Sequence, residues 1–377
     1  MTEKVTLSII KADVGSVAGH SCPHPSMVKK AREVLESGIK SKIINDFHMS
    51  RAGDDMEFIM THNSGENAKE IHKLAWDGFV AAADEAKRLK LYAAGQDLLS
   101  DAFSGNVRGQ GPGAAELEFE ERKAESVLIF MADKTGPSAY SLPLCRIFMD
   151  PFTTTGLVID PRAHVGYDFE IVDVIDHKSV VMHSPAEMYD MLALLGDTTR
   201  YAVKRVIHKD LGIATVVSTE KLNISAGKYV GKDDPAMIVR CQSGFPAVGE
   251  ALQPFAFPAL VAGWMRGSHY GAWFPCASDE SSPTYFDGPP RIVCLGIQVS
   301  YGMIRGLEDP ASPTGVHTPV DMFAGKEWDY VRNKAMDISL YIRGHGPFMP
   351  AIVSPEELEY TTRPEVLKKI EGRMKPS

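Results

Sequence analysis

Apolar and polar residues alternate with two different periods along the chain, and each period predicts one kind of element. Residues 5–10 form an apolar run of strand length, whereas residues 26–40 place apolar side chains at the spacing of a helix. Residues 41–61 resemble two strands around a turn at positions 51–55, and a long helix is predicted around residues 71–89. Strands and helices therefore alternate from the start of the chain.

The same alternation continues towards the C-terminus. Residues 126–132 are a continuous apolar run typical of a buried strand, and they follow a glycine-rich stretch at 104–115 and an acidic stretch at 116–121. Further strands are predicted at 169–174, 214–218, 236–240 and 291–299, and a further helix at 185–195. The pattern favours the α/β class. Because apolar strands resume after most of the Pro- and Gly-rich stretches, we interpret those stretches as functional loops of one compact domain over residues 1–377.

Composition and charge narrow the class of protein. Hydrophobic residues make up 44% and charged residues 24% of the 377 positions, which is typical of a globular protein. A net charge of -9 offers no broad positive surface to nucleic acid, and no segment reaches the ~20 apolar residues of a membrane helix. The five cysteines are scattered, and the N-terminal residues lack a signal-peptide pattern. We therefore expect a cytoplasmic protein that binds neither nucleic acid nor membranes.

Acidic residues recur at the ends of the predicted strands and in the turns beside them. They are Asp13, Asp54, Asp55, Asp133, Asp233 and Asp234. For any one of them, the more ordinary interpretation is a turn or a helix cap. Magnesium and calcium prefer hard oxygen ligands, however, and carboxylates from several strand ends can converge on one crevice. The set as a whole predicts a site for more than one divalent cation.

Three further motifs suggest binding sites, and two of them fail on spacing. His20, Cys22 and His24 would suit zinc, but the sequence has no second Cys/His cluster, so His20 is better interpreted as a metal or phosphate ligand beside Asp13 or as a structural histidine. The glycines at 109–113 lack the dinucleotide-binding spacing, and the segment at 227–232 departs from a P-loop. We interpret the glycine-rich stretch as a mobile lid over a substrate.

Lys232 is the basic residue with the most suggestive neighbours. Asp233 and Asp234 follow it directly, and Tyr229 lies three positions upstream. Most lysines are solvated surface charges. A nucleophilic lysine needs its neutral amine, which nearby metal cations favour by lowering the lysine pKa, and an adjacent phenol can transfer protons. The sequence meets these requirements and leaves both interpretations open.

Together these motifs resemble the archaeal-type bifunctional fructose-1,6-bisphosphate aldolase/phosphatase family over essentially the whole chain. The segments that carry the resemblance are Lys11-Ala12-Asp13 with His20, Arg51-Ala52-Gly53-Asp54-Asp55-Met56, Ala132-Asp133-Lys134-Thr135-Gly136-Pro137, Tyr229-Val230-Gly231-Lys232-Asp233-Asp234-Pro235 and Arg343-Gly344-His345-Gly346-Pro347. The resemblance implies a layered α/β sandwich with β-sheets packed between helices, a homo-octamer and several Mg2+ ions. It further implies that triose-phosphate substrates condense and that the sugar bisphosphate then loses a phosphate.

The resemblance also implies roles for individual residues. The metal ligands would be Asp13, His20, Asp54, Asp55, Gln96, Asp133, Asp233 and Asp234. The substrate would contact His20, Tyr92, Gly105, Asn106, Lys134, Gln242, Ser243, Arg266 and Asp287. Lys232 would form a Schiff base with dihydroxyacetone phosphate while Tyr229 transfers the proton, and Asp13 would accept the proton of the water that attacks the 1-phosphate.

Position 348 departs from the family pattern. The family has a tyrosine there that assists the aldol step, and this chain has Phe348, a tyrosine-to-phenylalanine variant that cannot transfer a proton. We therefore expect a weaker aldol step and a spared phosphatase step. Two alternatives stay open, namely a monofunctional Mg2+-dependent sugar phosphatase and a sugar-phosphate sensor without turnover.

Overall fold

Strands and helices alternate along the chain, which confirms the predicted α/β class. The computed structural model describes residues 4–98, 111–218, 220–221, 233–261, 271–283, 288–308, 317–344 and 361–377. The strands are β1 (Lys4–Ala12), β2 (Asp46–Ala52), β3 (Asp55–His62), β4 (Gly113–Glu120), β5 (Glu125–Asp133), β6 (Tyr167–Asp173), β7 (Lys178–Ser184), β8 (Tyr201–His208), β9 (Gly212–Val217), β10 (Glu220–Lys221), β11 (Ala236–Cys241), β12 (Leu260–Val261), β13 (Gly271–Ala272), β14 (Phe274–Pro275), β15 (Arg291–Ser300), β16 (Met303–Arg305), β17 (Leu307–Glu308), β18 (His317–Thr318), β19 (Val320–Asp321) and β20 (Lys375–Pro376). The helices are α1 (Pro25–Lys40), α2 (Lys69–Arg88), α3 (Ser141–Met149), α4 (Gly156–Ile159), α5 (Met188–Leu195), α6 (Val248–Leu252), α7 (Asp329–Gly344) and α8 (Arg363–Ile370).

Most of the strands belong to two sheets. The first sheet has the strand order β10, β4, β1, β3, β2, and its neighbours run antiparallel. The second sheet has the main order β14, β15, β5, β11, β9, β8, β6, β7, β20, and β16 and β19 pair with β15 outside that path. Its pairs are antiparallel except β14 with β15. Antiparallel pairing therefore dominates both sheets.

The two sheets pack face to face through alternate residues of their strands. In β1, Leu7 and Ile9 belong to a buried apolar cluster that continues into the second sheet through Ile129, Ile238 and Val293. Side chains two positions apart on a strand share one face of a sheet, so this cluster fills the space between the sheets. The middle of the sandwich is apolar along most of its length.

Helices cover the outer face of each sheet. Ile10 and Phe58 of the first sheet pack against α1 and α2, and the Phe58 ring stacks on Phe79 with 4.2 Å between centroids. On the second sheet, Phe130 and its neighbours pack against residues of α3, α5, α6, α7 and α8. The order of layers is helix, sheet, sheet, helix, as the predicted sandwich requires.

The structure confirms several predicted elements and corrects others. The helix predicted at 26–40 is α1, and the strands predicted around the turn at 51–55 are β2 and β3. The proposed lid at 104–115 is wrong at its C-terminal end, because Ala114 and Ala115 are paired with β1 inside β4. The elements α3, α7, β7 and β8 were not predicted. Among the described residues, no helix combines the length and the apolar character that crossing a membrane requires. The assignment of the whole chain to one domain stays a prediction.

A buried polar network lies under α2, on the helix side of the first sheet. Ser8 Oγ donates to Glu116 Oε1 at 2.7 Å, so it accepts from His62 Nε2 at 2.8 Å. His62 Nδ1 accepts the backbone N–H of Ser64 at 3.3 Å. A ring with one donating and one accepting nitrogen is neutral. Burial, opposed by the nearby Glu116, lowers the pKa of His62 to about 4.

We predict that His62 makes the fold sensitive to mild acid. Its pKa lies below the ordinary histidine value of 6.5, so its contribution to stability is complete above pH 6.5 and is lost as the pH falls towards 4. The loss should be on the order of 2–3 kcal/mol. His62→Gln keeps a donor and an acceptor but takes up no proton, so its melting temperature should fall less between pH 7 and pH 4.5 than that of the wild type. The exposed His164 supplies the control, His164→Gln. Identical melting profiles for wild type and His62→Gln would contradict the prediction.

Candidate metal centre

Charged side chains gather where the apolar layer between the sheets ends. In antiparallel pairs the end of one strand lies beside the start of its neighbour, so β1 ends where β3 begins and β5 ends where β11 and β15 begin. The register places Lys11 opposite Glu57 and Arg291 opposite Asp133. All four side chains are buried, and they share the strand face of the apolar residues between the sheets.

The first acidic cluster consists of Asp13, His20 and Asp54, whose ligand atoms lie within 4.8 Å of one another. His20 Nδ1 is 2.6 Å from Asp54 Oδ2 and 3.6 Å from Asp13 Oδ2. The neighbouring carboxylates of Asp13 and Asp54 raise the pKa of His20 to about 10, and burial with the nearby Asp54 charge raises the pKa of Asp13 to about 8. A bound cation would offset the repulsion between the two carboxylates.

The second cluster consists of Asp55, Asp133 and Asp234, and its ligand atoms also lie within 4.8 Å of one another. Burial is the main cause that raises the pKa of Asp133 to about 7, and it raises the pKa of Asp234 as well. Lys11 Nζ donates to Asp55 Oδ2 and, at 2.6 Å, to the backbone carbonyl of Asp234. A fully buried ammonium thus accompanies these carboxylates.

Lys134 lies between the two clusters. Its Nζ is 3.1 Å from Asp54 Oδ1 and 3.0 Å from Asp133 Oδ1, so one cation contacts a carboxylate of each cluster. Burial would raise the pKa of Asp54, but Lys134 and His20 outweigh it and hold that pKa well below its usual value. The backbone of Lys134 is left-handed, with φ 65°. Such a conformation costs free energy in a non-glycine residue and is found most often where function requires it.

The turn before β11 is fixed against the residues that follow β5. Thr135 N donates to Asp234 Oδ1 at 2.6 Å, and Asp234 N donates to Thr135 O at 3.2 Å. Asp234 is itself left-handed, with φ 47°. Asp233 precedes it in the same turn and is half-buried. The turn therefore holds Asp234 in the second cluster and places the residue that follows Lys232 beside it.

A third segment, just after α2, lies against the first cluster. The edge of the His20 ring meets the Tyr92 ring with 4.9 Å between centroids, and Tyr92 is 49% exposed. Gln96 Oε1 is buried and has no hydrogen-bond partner among the described residues. An orphaned buried oxygen in the segment that pairs with the backbone of Asp13 is what a further metal ligand would leave in the absence of its ion.

The structure brings together most, but not all, of the predicted site residues. Those near the clusters are Asp13, His20, Asp54, Asp55, Tyr92, Gln96, Asp133, Lys134, Asp233 and Asp234. Gln242 and Ser243 follow the other end of β11, and the strand that separates them from Asp234 spans about 17 Å at the usual rise per residue. The remaining predicted residues lie outside the described part of the chain: Gly105, Asn106, Tyr229, Lys232, Arg266, Asp287 and Phe348.

The donors fit a hard divalent cation better than zinc. Both clusters are built from carboxylates with a single imidazole, and the orphaned Gln96 oxygen adds another hard ligand. Cys22 belongs to neither cluster. His24 accepts the backbone N–H of Ser26 at 3.2 Å and caps α1, which is a structural role. The described residues therefore give no support to a site built from His20, Cys22 and His24.

Three residues that shape the site had no predicted role. Lys11 precedes Asp13 by two positions and Asp97 follows Gln96, so adjacency to predicted ligands was the available signal. Gly53 is required by close approach, since a Cβ built there would lie 2.1 Å from Asp133 Oδ2, and its φ is +61°. Only glycine allows the β2–β3 turn to pass so close to this carboxylate.

Known proteins are similar in sequence to this chain over almost its whole length. A family profile described as "Fructose-1,6-bisphosphatase" matches residues 4–375. A protein of Ignicoccus hospitalis named fructose-1,6-bisphosphate aldolase/phosphatase is 54% identical, with 100% of this chain and 94% of the relative covered. Relatives with the same name in Methanothermobacter marburgensis and Methanocaldococcus jannaschii are 52% and 51% identical. The alignments cover 98% of both chains in the first case, and 99% of this chain and 93% of the relative in the second.

We predict that Gly53→Ala weakens the binding of divalent cations while the fold survives. The new methyl group would collide with Asp133 and displace it from the second cluster, which should weaken Mn2+ binding at least about 10-fold. Gly212→Ala is the matched control, because Gly212 has φ +77° and open space where its Cβ would lie. Titration calorimetry with Mn2+ tests the pair. Equal affinities for the two variants would show that the contact with Asp133 is unimportant.

Proposed function

Because this chain belongs to the fructose-1,6-bisphosphatase family, we propose that it is a bifunctional gluconeogenic enzyme. It condenses dihydroxyacetone phosphate with glyceraldehyde 3-phosphate to fructose 1,6-bisphosphate and then hydrolyses the 1-phosphate to give fructose 6-phosphate. The proposal rests on the two acidic clusters, both of which contact Lys134. The second cluster includes Asp234, from the turn that follows Lys232. Full-length similarity to relatives named for both activities supports it.

We propose Mg2+ as the physiological ion of both clusters. The first cluster would bind it through Asp13, His20, Asp54 and Gln96, and the second through Asp55, Asp133, Asp233 and Asp234. When bound, the ions supply positive charge that neutralises a phosphate and orients a water. The ammonium of Lys134 contacts both clusters and is placed to bind a phosphate oxygen there. Asp13, buried in the first cluster, would accept the proton of the attacking water.

We propose that Lys232 carries the aldol step. Its amine would attack the ketone of dihydroxyacetone phosphate, and loss of water would leave an iminium that acidifies the neighbouring carbon. Tyr229 would take the carbon-bound proton and return it to the aldehyde oxygen of glyceraldehyde 3-phosphate as the resulting nucleophile adds to that aldehyde. Water would then hydrolyse the product iminium, which releases fructose 1,6-bisphosphate and the Lys232 amine. Asp234 follows Lys232 by two residues and is held to Lys11 and Thr135. That anchorage supports a shared site for the two reactions.

The placement of Gln242 and Ser243 supports an oligomeric active site. They lie at the far end of β11 from Asp234, so they would reach a sugar bisphosphate held by the clusters only from a neighbouring subunit. We therefore propose that they act across a subunit boundary in a cytoplasmic homo-octamer. Exposed apolar side chains support association, since Phe152 is 96% and Ile159 is 73% exposed in the single chain. We propose neither a nucleic-acid nor a membrane partner.

A monofunctional Mg2+-dependent sugar phosphatase is the second candidate, and Phe348 is the observation in its favour. The family places a phenol at this position, and without that hydroxyl the aldol step lacks one proton-transfer group. In this alternative Lys232 would contact only phosphate. Sodium borohydride reduces a Schiff base to a stable amine, so mass spectrometry of Lys232 after reduction with dihydroxyacetone phosphate distinguishes the two candidates.

We predict that release of phosphate from fructose 1,6-bisphosphate depends on Mg2+. Chelation should abolish activity and added Mg2+ should restore it, because the carboxylates alone would repel the phosphate. Asp54→Ala should lower the rate by orders of magnitude, whereas Asp84→Ala, which changes an exposed residue of α2, should leave it unchanged. Full activity in metal-free enzyme would contradict the metal assignment.

We predict that Phe348→Tyr raises aldol condensation far more than phosphatase activity. A proton-transfer group typically contributes about 10²- to 10⁴-fold in rate, whereas hydrolysis uses the metal clusters and an oriented water. Phe257→Tyr adds a hydroxyl at an exposed position and serves as the control. Triose-phosphate consumption and phosphate release should be measured on the same preparations. Parallel changes in both rates, or none, would show that position 348 has another role.

A further inference from the structure

Asp97 is a buried carboxylate that binds two separate segments of the backbone. It is 5% exposed. Its Oδ2 accepts the backbone N–H of Asp13 at 3.0 Å, and its Oδ1 accepts the backbone N–H of Gly111 at 3.2 Å. Burying a charged carboxylate is costly unless hydrogen bonds compensate it. The two hydrogen bonds therefore compensate the buried carboxylate and hold the backbones of Asp13 and Gly111 to it.

The backbone of the same segment completes the attachment to Asp13. Asp97 N donates to Asp13 O at 2.9 Å, and Gly95 N donates to Val14 O at 2.9 Å. Both polar backbone groups of Asp13 are thus bound by a single residue. Gln96 lies between Gly95 and Asp97, so the same pairing fixes where its side chain begins. Two candidate ligands of the first cluster are held together by one short segment.

The side chain of Asp13 has little else to orient it among the described contacts. Its Oδ1 accepts the N–H of Gly15 at 3.1 Å, and its Oδ2 lies 3.6 Å from His20 Nδ1, which is long for a hydrogen bond. The direction of the carboxylate therefore depends on where its backbone is held. Asp97 controls that position, although it is not part of either acidic cluster in the described chain.

We propose that Asp97 is a positioning residue that sets Asp13 and Gln96 as a pair of metal ligands in the first cluster. The inference rests on the proposed metal assignment. Its role requires a carboxylate, because both oxygens must accept an N–H. Asparagine has one accepting oxygen and an amide group that only donates, so it would leave one of the two backbone donors without an acceptor. Residues that hold metal ligands typically affect metal affinity by about 10- to 100-fold.

The test compares Mn2+ binding to metal-stripped Asp97→Asn and wild-type enzyme by electron paramagnetic resonance. His20→Ala identifies the binding step of the first cluster, and Asp133→Asn identifies that of the second. We expect Asp97→Asn to weaken the first step about 10- to 100-fold and to leave the second unchanged. Asp77→Asn, at a partly exposed aspartate on α2, is the matched control and should bind as the wild type does.

Each outcome decides between the inference and its premise. If wild-type enzyme lacks a step that His20→Ala removes, the metal assignment is wrong and this inference falls with it. If that step is present and Asp97→Asn binds Mn2+ as the wild type does, or weakens both steps equally, the positioning role is wrong. Should Asp97→Asn fail to fold, Asp97→Glu keeps both acceptors but displaces them, and it should show the same selective weakening.

Discussion

The structure depends on keeping several carboxylates close together inside a protein. Like charges repel strongly away from water, so such a group persists only when cations offset it. Lys11 contacts Asp55 and the turn of Asp234, and Lys134 contacts one carboxylate of each cluster. These two lysines provide part of the compensation from within the chain. The apolar layer, the strand register and the left-handed turns together bring the lysines and the carboxylates to one edge.

Sequence patterns predicted those features of the fold that are local and periodic along the chain. Apolar runs identified β1, β5 and β15, and helical spacing identified α1 and α2, because each pattern reflects the face that the element buries. The acidic strand ends were informative for a similar reason. Antiparallel pairing brings the end of one strand beside the start of the next, so acidic residues at both kinds of position converge. The six aspartates belong to this class.

What could not be predicted depends on contacts between distant segments. The acidic stretch at 116–121 has the pattern of a polar surface segment, yet most of it lies in β4. The Glu116 side chain forms hydrogen bonds with Ser8 and His72 on the helix side of the first sheet. Gly53 and Asp97 are important because residues from other segments of the chain approach them closely. No local sequence pattern predicts such contacts. The resemblance grouped Gln242 and Ser243 with the residues that contact the substrate, and within a single chain the length of β11 separates them from the acidic clusters.

That separation has a mechanical consequence for the proposed assembly. β11 is a buried central strand of the second sheet, with β5 on one side and β9 on the other, so its pairing fixes the distance between its two ends. In the proposed assembly, Asp234 at one end would serve its own subunit and Gln242 at the other end would serve a neighbour. A displacement of one end of β11 along the strand would shift the other end as well. Occupancy of one active site would then influence the next, which would appear as cooperativity.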